Sequence, residues 1–228
     1  MTPEERWLPA VWPFVRDNLP EPPARVLEIG CGPLGGFVPE LRAAGYDAIG
    51  VDPEAPEEPG YARVEFERYD GVGQVAAIVA CTSLHHVADL DEVLGRARAM
   101  LAPSGVVVVV EWARKRFDEA TARWGFDRLR PSDGGSDHEH GWLRELQAEW
   151  LASGEPWDVH LDHWAEQERL HTGEEILRSL DATFAGRLLE YGPYLFPDLH
   201  DVTEADEQAA IDAGHVRATR IQYVGRVS

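Results

Sequence analysis

Three glycines at the spacing Gly30-x-Gly32-x-x-Gly35 follow directly on the short apolar run Val26-Leu27-Glu28-Ile29. Glycines so placed allow a tight turn and let the backbone approach a bound group closely. Asp52 ends the next apolar run, Ala48-Ile49-Gly50-Val51. It lies about 20 residues beyond the glycines, where a carboxylate accepts hydrogen bonds from both hydroxyls of a ribose. This pattern serves a nicotinamide dinucleotide or an adenosyl cofactor equally well. Glu28, two residues before the first glycine, separates them. A carboxylate there disfavours a diphosphate and favours an ammonium group, and Pro33 removes a backbone donor that a pyrophosphate would use.

His85 follows the apolar run Val75–Cys81, on the side where ligands bind in sheets of this kind, and is the candidate general base. The alternative, that His85 or His86 orients the loop through a backbone carbonyl, stays open. Glu111-Trp112 ends the run Val106–Val110 and faces the same crevice. Trp142 and Trp164, with Trp150 and Trp157, either wall an acceptor pocket or form the core of a small cap. His138-x-His140 and His160-x-x-His163 invite a metal, but the acids around them form no recognisable ligand set, so no metal is expected. Asp133, Asp137 and Glu139 read as a solvated loop. Cys31 reads as a small packed side chain.

Positioning these groups requires strands that end where the motifs begin. Residues 4–19 read as a short amphipathic helix, stopped by Pro20-Glu21-Pro22-Pro23. Strands are expected at 25–29, 48–51, 63–66, 75–81 and 106–110. Helices are expected after Phe37, with Gly45 as C-terminal cap, and at 89–101. Strands apolar on both faces and separated by helices indicate a parallel sheet covered on both sides, a doubly wound α/β unit over residues 1–112. Between 113 and 175 that rhythm stops, and six of the eight tryptophans fall between Trp112 and Trp164. This segment reads as a helical cap, with Pro131–Ser136 as a loop and Arg114-Lys115-Arg116 as a solvated helix start. Residues 176–228 return to the sheet through strands near 184–191 and 216–227.

Composition narrows the partners. The 228 residues carry a net charge of −20, which repels a phosphate backbone, so no nucleic-acid partner is expected. No apolar run reaches the roughly 20 residues of a membrane-spanning helix. Two cysteines, Cys31 and Cys81, in apolar sequence fit a reducing compartment, and the acidic N-terminus lacks a signal-peptide pattern. The cytoplasm is the expected location.

Taken together, Val26–Pro33, Gly50-Val51-Asp52-Pro53 and Cys81-Thr82-Ser83-Leu84-His85-His86-Val87 resemble the class I S-adenosylmethionine-dependent methyltransferases, closest to the group called methyltransferase type 11. The resemblance covers residues 20–112. It implies a Rossmann-like sheet of seven strands, the last antiparallel. It implies that Gly30, Cys31 and Gly32 lie under the methionine portion of the cofactor and that Asp52-Pro53 meets the ribose. Cys81 and Thr82 would face the cofactor, and Glu67 or Asp70 would address the adenine. Leu34 departs from the pattern, standing where the family often has a third glycine. The implied activity is methyl transfer to a small molecule. A cofactor-binding protein without catalysis and a nicotinamide-dependent oxidoreductase are the alternatives, the latter weakened by the lack of a Tyr-Lys pair.

Overall fold

The computed structural model describes residues 2–71, 73–129 and 141–227. The expected loop at 131–136, together with His138, His140, Asp133, Asp137 and Glu139, lies outside them. The chain opens with α1 (Pro3–Asp17), whose start is secured by Thr2 and Glu5 in a reciprocal capping box. β1 (Arg25–Ile29), α2 (Val38–Ala43), β2 (Asp47–Val51), β3 (Tyr61–Ala62), β4 (Val75–Cys81), α3 (Leu90–Met100) and β5 (Leu101–Trp112) follow. α4 (Glu119–Phe126), α5 (Trp142–Ser153), α6 (Trp157–Gln167) and α7 (Gly173–Thr183) lead to β6 (Ala185–Gly192), α8 (Glu204–Asp212) and β7 (Arg220–Arg226).

The seven strands form one sheet in the order β3-β2-β1-β4-β5-β7-β6. β1 through β5 pair in parallel, and β7 runs antiparallel to both β5 and β6. The chain order reverses between β1 and β4, so the carboxyl ends of these neighbours open the crevice in which such sheets bind ligands.

Alternation along the strands divides the core in two. Val106, Val108 and Val110 face a cluster with α1, α2 and α4–α6, whereas Val107 and Val109 face one with α3 and α7. Because side chains on a strand alternate with period two, a valine run with both faces buried needs helices on both sides. The cap helices therefore share one continuous core with the sheet, through Leu143, Leu146, Trp150 and Trp157.

Three expectations are corrected. The third strand is only Tyr61–Ala62, and the charged stretch at 63–66 leaves the sheet for a 3-10 turn at Phe66–Arg68. Pro103-Ser104-Gly105 does not precede β5 but lies within it, where a register shift and Ser104 at φ 65° accommodate the irregularity. Arg114-Lys115-Arg116 is not a solvated helix start: Arg114 is buried, and Asp162 of α6 pairs with both Arg114 and Lys115.

Candidate active site

A cavity of about 840 Å³ opens at the carboxyl ends of β1, β2 and β4. Glu28, Gly30, Cys31 and Gly32 contribute from β1 and its loop, Asp52 and Pro53 from the end of β2, and Cys81 and Thr82 from the end of β4. The sequence motifs therefore converge on one space. Glu67 reaches it from the 3-10 turn, while Asp70 stands in solvent and pairs with Arg96 instead.

The glycine loop is built around the two carboxylates. Glu28 is buried, and its Oε2 accepts from the Phe37 backbone N–H at 2.8 Å. Burial pushes the Glu28 carboxyl up to about 8, so without a cationic partner it holds a proton near neutrality. A Cβ on Gly36 would fall 2.3 Å from Glu28 Oε1. Gly30, at φ +75°, lies so near that a Cβ there would meet Ser83 Cβ at 2.2 Å, so both conformation and space demand glycine. Asp52 accepts from the Gly32 N–H at 3.0 Å and, through its other oxygen, from the Glu54 N–H at 2.7 Å. Cys31 has its thiol pushed up to about 12 by burial and stays a neutral packing group.

The two histidines after β4 stand in different places. His85 is buried, absent from the cavity wall, and its Nδ1 lies 2.6 Å from Glu111 Oε2. His86 is the imidazole on the wall. Its surroundings and the adjacent His85 ring, 4.2 Å away between centroids, lower its affinity for a proton. Glu111 does not line the cavity either. It is fully buried under the turn after β4, where it accepts from the backbone N–H groups of Ser83 and Leu84. Glu207 does the same elsewhere, accepting from the N–H groups of Tyr194, Leu195 and Phe196. Glu28, Glu111 and Glu207 are thus buried acids that shape loops by accepting from backbone donors.

Trp112, Trp142 and Trp164 also lie off the cavity wall. They pack on one another, with Trp112 centroids 5.1 Å from Trp142 and 6.3 Å from Trp164. Tyr194 joins them at 6.1 Å from Trp112. This cluster meets the cavity through Trp7, whose ring stands 5.1 Å from Tyr194. Trp7, Leu8 and Glu4 of α1 line the cavity, a contribution the sequence reading missed. Arg6 fastens α1 from behind, donating to the carbonyls of Pro197, Leu199 and Val202. His160 and His163 both approach Glu155, and among the described residues no group of three or more His, Cys, Asp or Glu side chains could hold a metal.

A seven-stranded sheet with this order, a glycine loop after β1 and acids at the ends of β1 and β2 make up a Rossmann-like fold of the class I kind. A family model described as a methyltransferase domain matches residues 5–150, and the chain belongs to that family, the S-adenosylmethionine-dependent methyltransferases. This settles the cofactor in favour of S-adenosylmethionine over a nicotinamide. A ubiquinone biosynthesis O-methyltransferase of Caulobacter sp. is 31% identical over 156 residues, covering 60% of each chain. The alignment thus spans less than two thirds of that relative. Among solved structures, an S-adenosylmethionine dependent methyltransferase of Mesorhizobium loti has a TM-score of 0.56 at 20% identity, covering 96% of this chain and 98% of that one. The geranyl diphosphate C-methyltransferase of Streptomyces coelicolor has a TM-score of 0.54 at 16% identity, covering 97% and 81%. These two show the shared fold.

Proposed function

We propose that the chain transfers the methyl group of S-adenosylmethionine to a small-molecule acceptor by direct in-line displacement. The observation that carries this reading is the convergence of Glu28 and Asp52, from adjacent parallel strands, on one glycine loop inside one cavity. Glu28 would take the ammonium group of the cofactor, Asp52 the ribose hydroxyls, and Glu67 the adenine edge. Pro53, Cys31, Cys81 and Thr82 complete the walls. The residues fit the group: Glu28 is a buried carboxyl in need of a positive partner, and Gly36 leaves room beside it.

When bound, the cofactor supplies a methyl on a sulfonium, already strongly electrophilic. The chain's own task is to align an acceptor, exclude water and take up a proton where the acceptor carries one. Trp7 and Leu8 cover the cavity against water. His86, on the wall and held neutral by its neighbours, is placed to accept that proton. The rings of Tyr194, Trp112, Trp142 and Trp164 pack behind Trp7 and back it from outside the cavity. Small-molecule acceptors are supported by the relatives, which are named for ubiquinone biosynthesis and geranyl diphosphate. The acidity of the chain, net −20, argues against nucleic acid. Free, buried Cys31 and Cys81 support the reducing interior of the cytoplasm as its location.

The test is calorimetric titration with S-adenosylmethionine, S-adenosylhomocysteine and NAD(H), with Asp52→Ala as control, followed by transfer of labelled methyl to a panel of phenols, amines and prenyl compounds. Adenosyl binding lost in the variant, with label appearing in one acceptor class, is expected. Binding without transfer to any acceptor would favour a cofactor sensor over an enzyme.

A further inference from the structure

We propose that Glu111 is a positioning residue for the cofactor, acting with His85 to hold the turn Thr82–His86 that receives its methionine end. This rests on the cofactor placement proposed above, with the glycine loop under the methionine portion and Asp52 at the ribose.

Thr82 and Ser83 line the cavity and sit directly against the glycine loop, since Ser83 Oγ donates to the Ile29 carbonyl at 2.9 Å. The turn is held in a costly shape, with Thr82 at φ 50°, a left-handed conformation that a β-branched residue rarely adopts. On its other side stands Glu111, at the end of β5. Its Oε1 accepts from Ser83 N–H at 2.8 Å and Leu84 N–H at 2.6 Å. Its Oε2 meets His85 Nδ1 at 2.6 Å and accepts from Trp112 N–H at 3.2 Å. The turn is therefore wedged between Gly30 and a carboxylate whose two oxygens are both fully engaged.

Backbone donors approach both oxygens, an arrangement that suits a carboxylate. An amide offers one oxygen, and its NH₂ would face either the Ser83 and Leu84 N–H groups or the Trp112 N–H. Burial alone would push the Glu111 carboxyl up, but the charge and hydrogen bond of His85, with the backbone donors, outweigh it and hold it below the usual range. Glu111 touches the cavity nowhere, so its effect must pass through Thr82, Ser83 and the His85–His86 pair.

The experiment compares two ligands that differ at one end. S-adenosylhomocysteine carries the amino-acid portion, and 5′-methylthioadenosine keeps the adenosine and the thioether without it. Binding of both is measured by calorimetry to the wild type, Glu111→Gln and Glu111→Gln/Thr82→Gly. Glu111→Gln should weaken S-adenosylhomocysteine by about tenfold or more, as loss of charge-assisted bonds implies, and leave methylthioadenosine within about twofold. Thr82→Gly in that background should recover part of the loss, because glycine takes the left-handed conformation without strain. The imidazole nitrogen spectrum should show the His85 Nδ1–H···carboxylate bond in the wild type and lose it in Glu111→Gln. If Glu111→Gln is too unstable to purify, His85→Asn keeps the two backbone bonds and should show a smaller loss with the same selectivity. Equal loss of both ligands, or no loss of either in a folded variant, overturns the proposal. A wild-type chain that binds neither ligand overturns the cofactor placement, and the proposal falls with it.

Discussion

The indole N–H of Trp7 points at Sγ of Cys81 at 3.3 Å, tying the first helix of the chain to the end of the central strand β4. The bond spans 74 residues of sequence and closes one side of the cavity. Both partners are buried, and burial pushes the Cys81 thiol up to about 12, so it remains a neutral acceptor at any working pH. Trp7→Ala removes the ring packed on Tyr194 and Phe196 and should cost about 3–5 kcal/mol in denaturant unfolding. Trp7→Phe keeps a ring and should lose less than half of that. Both variants should bind S-adenosylhomocysteine more weakly, with Trp7→Ala the worse. Unchanged affinity in a folded Trp7→Ala would show that α1 does not seal the cavity.

What was legible before the structure follows from how local each signal is. The strands β1, β4 and β5 announce themselves because a sheet covered on both faces needs unbroken apolar runs. That Glu28, the glycines and Asp52 meet in one cavity was legible because the glycine loop is contiguous with the strand ends that present it. β3 was misplaced because two paired residues, Tyr61 and Ala62, carry no periodicity. Which of His85 and His86 stands at the cavity was not legible at all. Both sit in one 3-10 turn, and which ring turns inward is decided by Glu111, 26 residues away. Trp7 was read correctly as the apolar face of a helix, but nothing near it in sequence tells that this face overhangs a cavity. The tryptophans between 112 and 164 pack into or against the core that α4–α6 share with the sheet, and composition alone does not tell such packing from an acceptor pocket.

Glu28 makes both stability and cofactor affinity depend on pH. Its folded pKa of about 8 lies above the ordinary 4.5, mainly through burial. Between those values the folded chain holds a proton that the unfolded chain has released, so stability falls as pH rises, by at most about 1.4 kcal/mol per pH unit. Glu28→Gln, which keeps an acceptor for the Phe37 N–H, should flatten that slope in unfolding measured from pH 5 to 8. A cofactor ammonium group would draw the carboxyl into its charged form. Binding at pH 7 should therefore release a proton from the wild type, detected by calorimetry in buffers of different ionisation enthalpy. Glu28→Gln should release none from this position and bind at least about tenfold more weakly. Identical proton release in the two proteins would contradict this role.

The Arg114–Asp162 pair fastens α6 to the 3-10 turn Arg114–Arg116 that follows β5. Arg114 is 6% exposed, and its Nη1 lies 2.8 Å from Asp162, which Lys115 also contacts. Their bonds hold the Asp162 carboxyl below its usual range. Asp162→Ala leaves Arg114 buried without its carboxylate and should cost about 1–3 kcal/mol, less than a fully buried pair because Asp162 is partly solvated. Lys115→Ala, at the exposed side, should cost under about 1 kcal/mol. Denaturant midpoints of the two variants check the ranking, and equal losses would show that burial of Arg114 carries no weight.

Asp198 shows the opposite balance, a carboxylate kept at a cost. It accepts from Trp142 Nε1 at 3.3 Å, and burial pushes its pKa up to about 6, against the lowering effects of that bond and of Arg6. The sign follows directly. From the ordinary 3.8 up to about 6 the folded state retains a proton that the unfolded state has lost, so stability declines across that window and is flat above it. Asp198→Asn preserves an oxygen for the Trp142 N–H while removing the charge. It should be more stable than the wild type at pH 8, by on the order of 1–3 kcal/mol, with the difference vanishing below pH 4. Because Trp142 stands in the ring cluster with Trp112 and Tyr194, the neutral variant should leave that ring packing in place. Paired unfolding curves at pH 4 and pH 8 decide the matter: an Asn variant less stable at both would mean that the charged Asp198–Arg6 attraction outweighs burial.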